Sequence, residues 1–211
     1  MSKDIYVVAH TQSRHHVEGR VGGWYDSELT DLGRRQAHAV AERIAELVGD
    51  ARPVEIYASD LLRAAQTAEP IARRLGASVA HWPDLRERSL GVADGKPESW
   101  LDGRLVLPAK DGDRLDSREG LEGAETRCEF ATRVYRAVDG IASDACPTQV
   151  VVTHGFALTF VLAAWIKMPI ESLGWVAFRS NAGGISHLRE DDEVFSRAVM
   201  RLNDRTHLEG L

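Results

Sequence analysis

Two histidines each end a short apolar segment that is typical of a buried strand. His10 closes residues 4–10, and His154 closes residues 149–154. The parallel strands of an open α/β sheet end at one shared edge, where ligands bind. We therefore expect the two imidazoles to meet at that edge, where one can act as a nucleophile and the other can stabilise charge.

An arginine and a glutamate lie between these two segments. Arg63 lies in the first turn of a predicted helix, and Glu87 lies in a Leu-Arg-Glu sequence that follows a predicted strand. A guanidinium group matches the oxygens of a phosphate, and a carboxyl group with a raised pKa can protonate a leaving oxygen. A single strand-end histidine is more often structural than catalytic, but the four residues in this order indicate a phosphate site with a proton donor.

The sequence around these residues resembles that of the histidine phosphatase superfamily, also called the phosphoglycerate mutase-like family. The matching blocks lie at 9–13, 22–37, 59–68, 85–91, 125–126, 152–155 and 202–208. Any one block is weakly specific, whereas the ordered set is strongly specific. The resemblance implies an α/β fold, a three-layer α/β/α sandwich with a mostly parallel central sheet.

The resemblance also implies a role for each residue. His10 would be phosphorylated during turnover, and Glu87 would protonate the leaving oxygen. Arg63 and His154 would hold the phosphoryl group. The implied substrate contacts are Thr11, His16, Gly22, Gly23 and Gly155. No cofactor is implied.

The first block departs from the family pattern. The family opens with Arg-His-Gly, whereas this chain has Ala9, His10 and Thr11. His16 stands where phosphoglycerate mutases usually carry asparagine. Losing one transition-state donor costs about 3 kcal/mol in a well-studied oxyanion site, so Ala9 predicts weakened phosphoryl transfer unless another group replaces the arginine.

Three explanations for this departure remain open. Another arginine fills the place, or the site binds a phosphorylated ligand without efficient turnover, or the site performs different chemistry. The candidate replacements are Arg14, Arg20, Arg86 and Arg88. Each of them is also compatible with a solvated surface charge.

A metal site is a further alternative, formed by His10, His15 and His16 with His154 and Glu87 as additional ligands. Imidazole suits zinc, copper, iron and nickel. The spacing fits no compact ligand motif, however, and the side chains of His15 and His16 are predicted to point in different directions. We therefore expect no metal.

Composition limits the classes of function. The chain has 211 residues, 44% of them hydrophobic, which fits one α/β domain over residues 1–211. The net charge of -6 and the scattered basic residues argue against a nucleic-acid partner. Cys128 and Cys146 are predicted to be reduced thiols. The amino terminus has no apolar signal region and no stretch approaches membrane-spanning length, so we expect a cytoplasmic protein with no membrane partner.

Apolar periodicity predicts the elements that position the site. Helices are expected at about 30–48, 62–76, 125–141 and 156–166. Thr30 caps the first, and the second is expected to kink at Pro70 before it ends at Gly76. Further strands are expected at 55–59, 78–82, 175–178, 184–189 and 194–199, with an edge hairpin between the last two. Residues 88–123 lose this periodicity and indicate an irregular insertion over the pocket, where Trp100 either contacts substrate or holds the insertion together.

Together these observations predict a phosphatase-like hydrolase that acts on a small soluble phosphomonoester through a phosphohistidine intermediate. The alternative is a non-catalytic or repurposed protein of the same fold that binds a phosphorylated or other anionic small molecule. A mutase is disfavoured, since family mutases tend to be longer and carry the arginine that Ala9 replaces. The exposed hairpin edge and the apolar carboxyl-terminal half are compatible with a homodimer.

Overall fold

The computed structural model describes residues 2–211, and the site is built on its strand ends and helix starts. The strands are β1 Lys3–Ala9, β2 Val54–Ala58, β3 Val79–His81, β4 Thr148–Thr153, β5 Ile185–Glu190 and β6 Arg197–Asp204. The α-helices are α1 Arg14–Val17, α2 Asp31–Val48, α3 Leu62–Leu75, α4 Arg127–Ser143 and α5 Gly155–Trp165. Short 3₁₀ helices lie at Pro83–Leu85, Gly91–Ala93, Glu98–Leu101, Ile170–Gly174 and Thr206–Leu208.

The strands form one mostly parallel sheet, as the sequence predicts. Their order is β3-β2-β4-β1-β5-β6, in which the first four are parallel and the last two run antiparallel to their neighbours. Ala9 of β1 pairs with Thr153 of β4, so His10 and His154 follow neighbouring strands at the same edge. The carboxyl ends of β2 and β3 reach this edge as well, which brings the segments that carry Arg63 and Glu87 beside the two histidines.

Both faces of the sheet are apolar, and a layer of helices packs on each face. This arrangement confirms the predicted α/β/α sandwich. Ile5 and Val7 of β1 pack in one core cluster with α4 and α5. Tyr6 and Val8 point to the opposite face and pack with α2 and α3. This alternation follows from the two-residue period of a strand, and a sheet that is apolar on both faces requires helices on both.

Local capping signals predict the ends of the first two long helices. Thr30 caps α2 by accepting a hydrogen bond from the amide of Gly33, and Gly49 ends it with φ 57°, as predicted. α3 ends at Gly76 in the left-handed conformation, also as predicted. As predicted, the helix continues past Pro70, and both Pro70 and Ile71 are buried.

Two predicted strands differ in the structure. Residues 175–178 form no strand, because the amide and carbonyl of Phe178 bond to the hydroxyl of Thr159 on α5. The last strand begins at Arg197 rather than near Val194, since the side chain of Asp191 accepts the amides of Glu193 and Val194 in the turn. The edge hairpin itself is present.

Residues 88–123 cover the carboxyl edge of the sheet without a long helix or strand of their own. Two 3₁₀ helices, Gly91–Ala93 and Glu98–Leu101, are their regular structure. Trp100 packs on a small cluster that contains Val21 and Leu121, and Arg104 stacks over its ring. This placement favours the structural role for Trp100. Within residues 2–211, no helix is long and apolar enough to cross a membrane.

Candidate active site

His10 is a neutral imidazole whose Nε2 carries a lone pair. The residue directly follows β1 and is 6% exposed. Its Nδ1 donates to the carbonyl oxygen of Thr11 at 2.8 Å, and Nε2 accepts a hydrogen bond from Nε of Arg63 at 3.2 Å. Burial, followed by the charge of Arg63, holds the pKa of His10 well below its usual range. The Nε2 lone pair is therefore available at neutral pH.

Arg63 is the buried cation of the site. It lies in the first turn of α3 and is 1% exposed. Besides contacting His10, it donates from Nη1 to the carbonyl of Tyr25 at 2.8 Å and from Nη2 to the carbonyl of Gly23 at 2.7 Å. Burial lowers the pKa of Arg63 to about 10, which leaves it charged at neutral pH. These contacts fix its guanidinium plane against His10.

His154 supports His10 from inside the protein. It follows β4, is fully buried, and its ring centroid lies 5.1 Å from that of His10 at a steep angle. Its Nε2 contacts the hydroxyl of Ser59 at 2.8 Å, and its Nδ1 has no hydrogen-bond partner within residues 2–211. Burial and the charge of Arg63 hold the pKa of His154 well below its usual range, so the ring is neutral.

Glu87 presents its carboxyl group at the start of α5. Oε1 accepts hydrogen bonds from the amides of Arg88 and Ala157, and Oε2 accepts one from the amide of Phe156 at 3.0 Å. Burial raises the pKa of Glu87, while the backbone donors and the charges of Arg63 and Arg133 oppose this increase. A carboxyl group with a raised pKa can hold a proton closer to neutral pH.

Two side chains hold the Glu87 segment in place. Nε1 of Trp24 donates to the backbone carbonyl of Glu87 at 2.7 Å, and Nη2 of Arg133 donates to the same oxygen at 2.8 Å. Arg133 also bonds to the carbonyls of Asp84 and Arg86. The position of the carboxyl group is thus set by the protein rather than by a bound ligand.

His10, Arg63 and Glu87 line one open cavity of about 430 Å³. This volume suits a phosphate group with a small organic substituent. Its lining residues are His10, His15, His16, Arg20, Gly22, Gly23, Arg63, Glu87, Arg88, Leu90, Glu98, Glu119, Gly155 and Phe156. The structure thus brings together most of the predicted site residues, with His154 behind the cavity wall.

Thr11, expected at the substrate, does not line the cavity. Its side chain is fully buried, and its hydroxyl donates to the carbonyl of Gly33 at 2.8 Å. The amide of Thr11 donates to the hydroxyl of Thr67. Since His10 faces the cavity, the next residue in the extended chain points the other way. Thr11 therefore packs against α2 and α3 and is not among the residues that line the cavity.

The two predicted glycines at the cavity are required by close contacts. A Cβ atom on Gly22 would lie 2.9 Å from Nε2 of His15. Gly23 has φ +44°, and a Cβ atom there would overlap the carboxylate of Asp94. Both positions thus let the backbone approach the site closely.

The structure also shows which arginines reach the cavity in place of the one missing at position 9. Arg20 and Arg88 line it. Arg14 instead forms an exposed ion pair with Glu28, and Arg86 pairs with Asp60 outside the cavity.

Of these two arginines, Arg88 is held in place by the protein and keeps a donor nitrogen for an anion. Its side chain is 5% exposed and pairs with Glu119 at 3.0 Å, while its buried Nη2 has no hydrogen-bond partner in the described chain. Glu119, which holds Arg88, adopts φ 55°, a conformation that a non-glycine residue rarely takes. Arg88 can therefore supply charge to an anion from the insertion side of the cavity.

His15 and His16 are closer together than the sequence predicts. Neighbouring residues on a helix are about 100° apart, from which divergent side chains are expected. Instead, the ring centroids lie 4.1 Å apart, because Nδ1 of each ring approaches the hydroxyl of Ser13, at 2.9 and 3.3 Å. Burial lowers the pKa of His15 to about 3 and also lowers that of His16.

Several lining residues were missed by sequence reasoning. Leu90, Glu98 and Glu119 come from the irregular segment 88–123, which has no periodicity from which an inward face can be read. Phe156 reads as a core residue in an apolar helix, yet it faces the cavity at the start of α5. In the sequence, the only sign that Phe156 lies at the cavity is its position two residues after the strand-end His154.

The family model of the histidine phosphatase superfamily, branch 1, matches residues 5–204. The chain belongs to the histidine phosphatase superfamily. A relative from Yersinia pestis, named "Probable phosphoglycerate mutase GpmB", is 32% identical over 174 residues, which cover 80% of this chain and 77% of the relative.

Solved structures of the superfamily share the fold over nearly the whole chain. A mycobacterial glucosyl-3-phosphoglycerate phosphatase superposes with a TM-score of 0.75 at 26% identity, covering 97% of this chain and 100% of the other. A structure named "Mycobacterial hydrolase 1" gives a TM-score of 0.78 at 26% identity, with 97% and 99% coverage. The histidine phosphatase superfamily membership predicted from the sequence blocks is thus confirmed, and these relatives are phosphatases and mutases by name.

Proposed function

We propose that this histidine phosphatase superfamily member hydrolyses a small soluble phosphomonoester through a phosphohistidine at His10. The observation that carries this proposal is the state of His10. Its Nδ1 proton is held by a backbone carbonyl, and its Nε2 lone pair lies at the cavity beside the charged Arg63. A neutral imidazole held in this way can attack phosphorus and split hydrolysis into two easier steps.

In the first step, Nε2 of His10 attacks phosphorus, and the bond from phosphorus to the ester oxygen breaks. Arg63 turns its Nε donor from His10 toward a phosphoryl oxygen, since His10 no longer has a lone pair to offer. Glu87 gives its proton to the departing ester oxygen. The alcohol leaves, and His10 carries the phosphoryl group.

In the second step, water attacks the phosphorus of phospho-His10. Glu87, now a carboxylate, takes a proton from that water as it attacks. The bond from nitrogen to phosphorus breaks, and inorganic phosphate leaves. His10 returns to its neutral form with Nδ1 still bonded to Thr11. We expect His154, which is buried next to His10 and has an unpartnered Nδ1, to stabilise the developing charge.

One observation favours a second candidate, an anion-binding protein with little turnover. Each nitrogen of the Arg63 guanidinium already donates to a group of the protein. Ala9 supplies no further cation. A ligand phosphate would then be held mainly by Arg20 and Arg88, which line the same cavity. The two candidates differ in whether any phosphomonoester is hydrolysed.

We expect Glu87→Gln to slow hydrolysis most for substrates with poor leaving groups. Loss of a general acid lowers rates by on the order of 10² to 10⁴ where protonation is needed. Aryl phosphates, whose phenolate leaves readily, need that proton less than alkyl phosphates do. The measurement is kcat/KM for a series of aryl and alkyl phosphates with the wild type and the variant.

Glu55→Gln is the matched control, since Glu55 is an exposed carboxylate on β2 outside the cavity. Equal slowing of aryl and alkyl esters by Glu87→Gln would show that Glu87 instead positions the neighbouring Arg86 and Arg88. Absence of hydrolysis for every ester with the wild type would support the anion-binding candidate.

A further inference from the structure

Three imidazoles meet at the mouth of the cavity. His10 comes from the end of β1, and His15 and His16 come from α1. One ring nitrogen from each residue lies within 4.8 Å of the other two. Histidine ligands on a tetrahedral zinc ion have nitrogens roughly 3.3 Å apart, given zinc to nitrogen distances of about 2.0 Å. To reach coordinating geometry the nitrogens would have to approach one another by up to about 1.5 Å. The ring of His16, which is stacked on that of His10 with an angle of 9° between the planes, would also have to rotate.

Two of the rings are already oriented as metal ligands are. A ligating histidine donates its other ring N–H to an oxygen, which fixes the tautomer and the ring plane. Nδ1 of His10 donates to the carbonyl of Thr11 at 2.8 Å, and Nδ1 of His15 lies 2.7 Å from the hydroxyl of Ser27. Nε2 of His15 faces Gly22, which has no side chain to block it. Nε2 of His10 accepts a hydrogen bond from Nε of Arg63, which a metal ion would have to replace.

His16 needs one rearrangement to become the third ligand. Its Nδ1 accepts the amide of Ser13 at 3.3 Å, so in this state the proton of the neutral ring is on Nε2. The hydroxyl of Ser13 is also 3.3 Å from this Nδ1 and can accept its proton after a change of tautomer. His16 is exposed, so its ring can rotate without repacking the core.

The charged groups around the three rings allow a cation to bind, but only reversibly. Ala9 places no charge next to His10. Three carboxylates line the same cavity, those of Glu87, Glu98 and Glu119, and they offset the arginines Arg20 and Arg88 that also line it. Arg63 opposes a metal ion, because its Nε holds the Nε2 lone pair of His10 at 3.2 Å. A metal ion must displace this hydrogen bond, so occupancy is expected to be reversible.

We propose that His10, His15 and His16 together bind one divalent transition-metal ion of the class that imidazole prefers, with zinc as its representative. The fourth coordination position faces the cavity and takes water or an anion. Since the metal uses the Nε2 lone pair that attacks phosphorus, metal binding and phosphoryl transfer exclude each other. The binding stands by itself, whereas this exclusion rests on the proposed function.

Cobalt titration tests the binding without reference to activity. Co²⁺ replaces zinc and reports its ligands through visible d–d absorption. We expect the full-length wild type to bind one Co²⁺ with a saturable absorption band that Zn²⁺ removes. His16→Asn should weaken Co²⁺ binding by about tenfold or more. Ser27→Ala should weaken it by about tenfold, through loss of the nearer of the two hydroxyls at Nδ1 of His15.

His38→Asn is the matched control, because His38 is an exposed histidine on α2. Its titration should match that of the wild type. No saturable band, an unchanged titration in His16→Asn, or equal weakening in His38→Asn would each overturn the proposal. Since His16 is exposed, loss of binding in its variant is not explained by unfolding, which circular dichroism checks.

A separate assay tests the exclusion. Hydrolysis of an aryl phosphate by the wild type should fall as Zn²⁺ is added and return when a chelator removes it. Hydrolysis that persists at Zn²⁺ concentrations that saturate the Co²⁺ site would overturn the exclusion. If the chelated enzyme hydrolyses nothing, the proposed function fails, while the cobalt titration still decides the metal site.

Discussion

We expect His10→Ala to abolish phosphomonoesterase activity, a loss on the order of 10⁶-fold where the nucleophile of a covalent mechanism is removed. The variant has no nitrogen at the place where the phosphoryl group would be bonded. Neither His15 nor His16 can replace it, because Arg63 donates to His10 and to neither of them. The measurement is kcat/KM for an aryl phosphate.

The fold of this variant should remain intact. His10 contributes a hydrogen bond to its own neighbour and one to Arg63, and the core clusters do not include it. Circular dichroism and Tm should be close to those of the wild type, with His38→Ala as the surface control. Retention of full activity in His10→Ala would refute the assignment of the nucleophile.

The second large effect is expected from Ala9→Arg, which restores the residue type that the family carries at this position. We expect a loss of activity rather than a gain. Ala9 is 2% exposed, and its backbone is fixed by hydrogen bonds to Gly183 and Gly184. A long side chain must either strain this packing, at about 1–3 kcal/mol, or enter the cavity beside Arg63.

Charge adds to this steric effect. Arg20, Arg63 and Arg88 already line the cavity, so a fourth guanidinium would sit among like charges. We expect kcat/KM for an aryl phosphate to fall at least about tenfold, which corresponds to 1.4 kcal/mol of transition-state stabilisation. Tm should fall by several degrees, given about 2–4 °C per kcal/mol for a chain of this size.

Ala9→Met is the matched control for this prediction, since it adds length without charge. If bulk is responsible, both variants should lose activity and stability to a similar extent. If charge is responsible, only Ala9→Arg should lose activity. A clear gain of phosphatase activity in Ala9→Arg would contradict a remodelled cavity and indicate a weakened ancestral phosphate clamp.

The sequence was sufficient where a local signal has one physical outcome. Thr30 and Gly49 define both ends of α2 because capping and left-handed geometry depend on the residues themselves. His10 and His154 were placed correctly because parallel strands share an edge, whatever their distance along the chain. The sheet and its two helical layers followed from the same patterns.

The sequence was insufficient where tertiary contacts override a local preference. Pro70 locally disfavours a helix, yet it lies inside α3, where Pro70 and Ile71 are buried. His15 and His16 converge because both rings contact one hydroxyl of Ser13, which no periodicity predicts. The resemblance implied that Thr11 contacts substrate, whereas alternation along the extended chain turns its side chain toward Gly33.

The central claim, that His10 carries a phosphoryl group during turnover, is tested most directly by trapping the intermediate. The enzyme is mixed with an aryl phosphate in the presence of a chelator, quenched in alkali, digested and analysed by mass spectrometry. We expect a phosphoryl group on the peptide that contains His10, stable in alkali and lost in acid, as for a phosphorus to nitrogen bond. It should be absent from His10→Ala. Rapid hydrolysis without a phosphorylated peptide, or a phosphoryl group on another residue, would contradict the proposed mechanism.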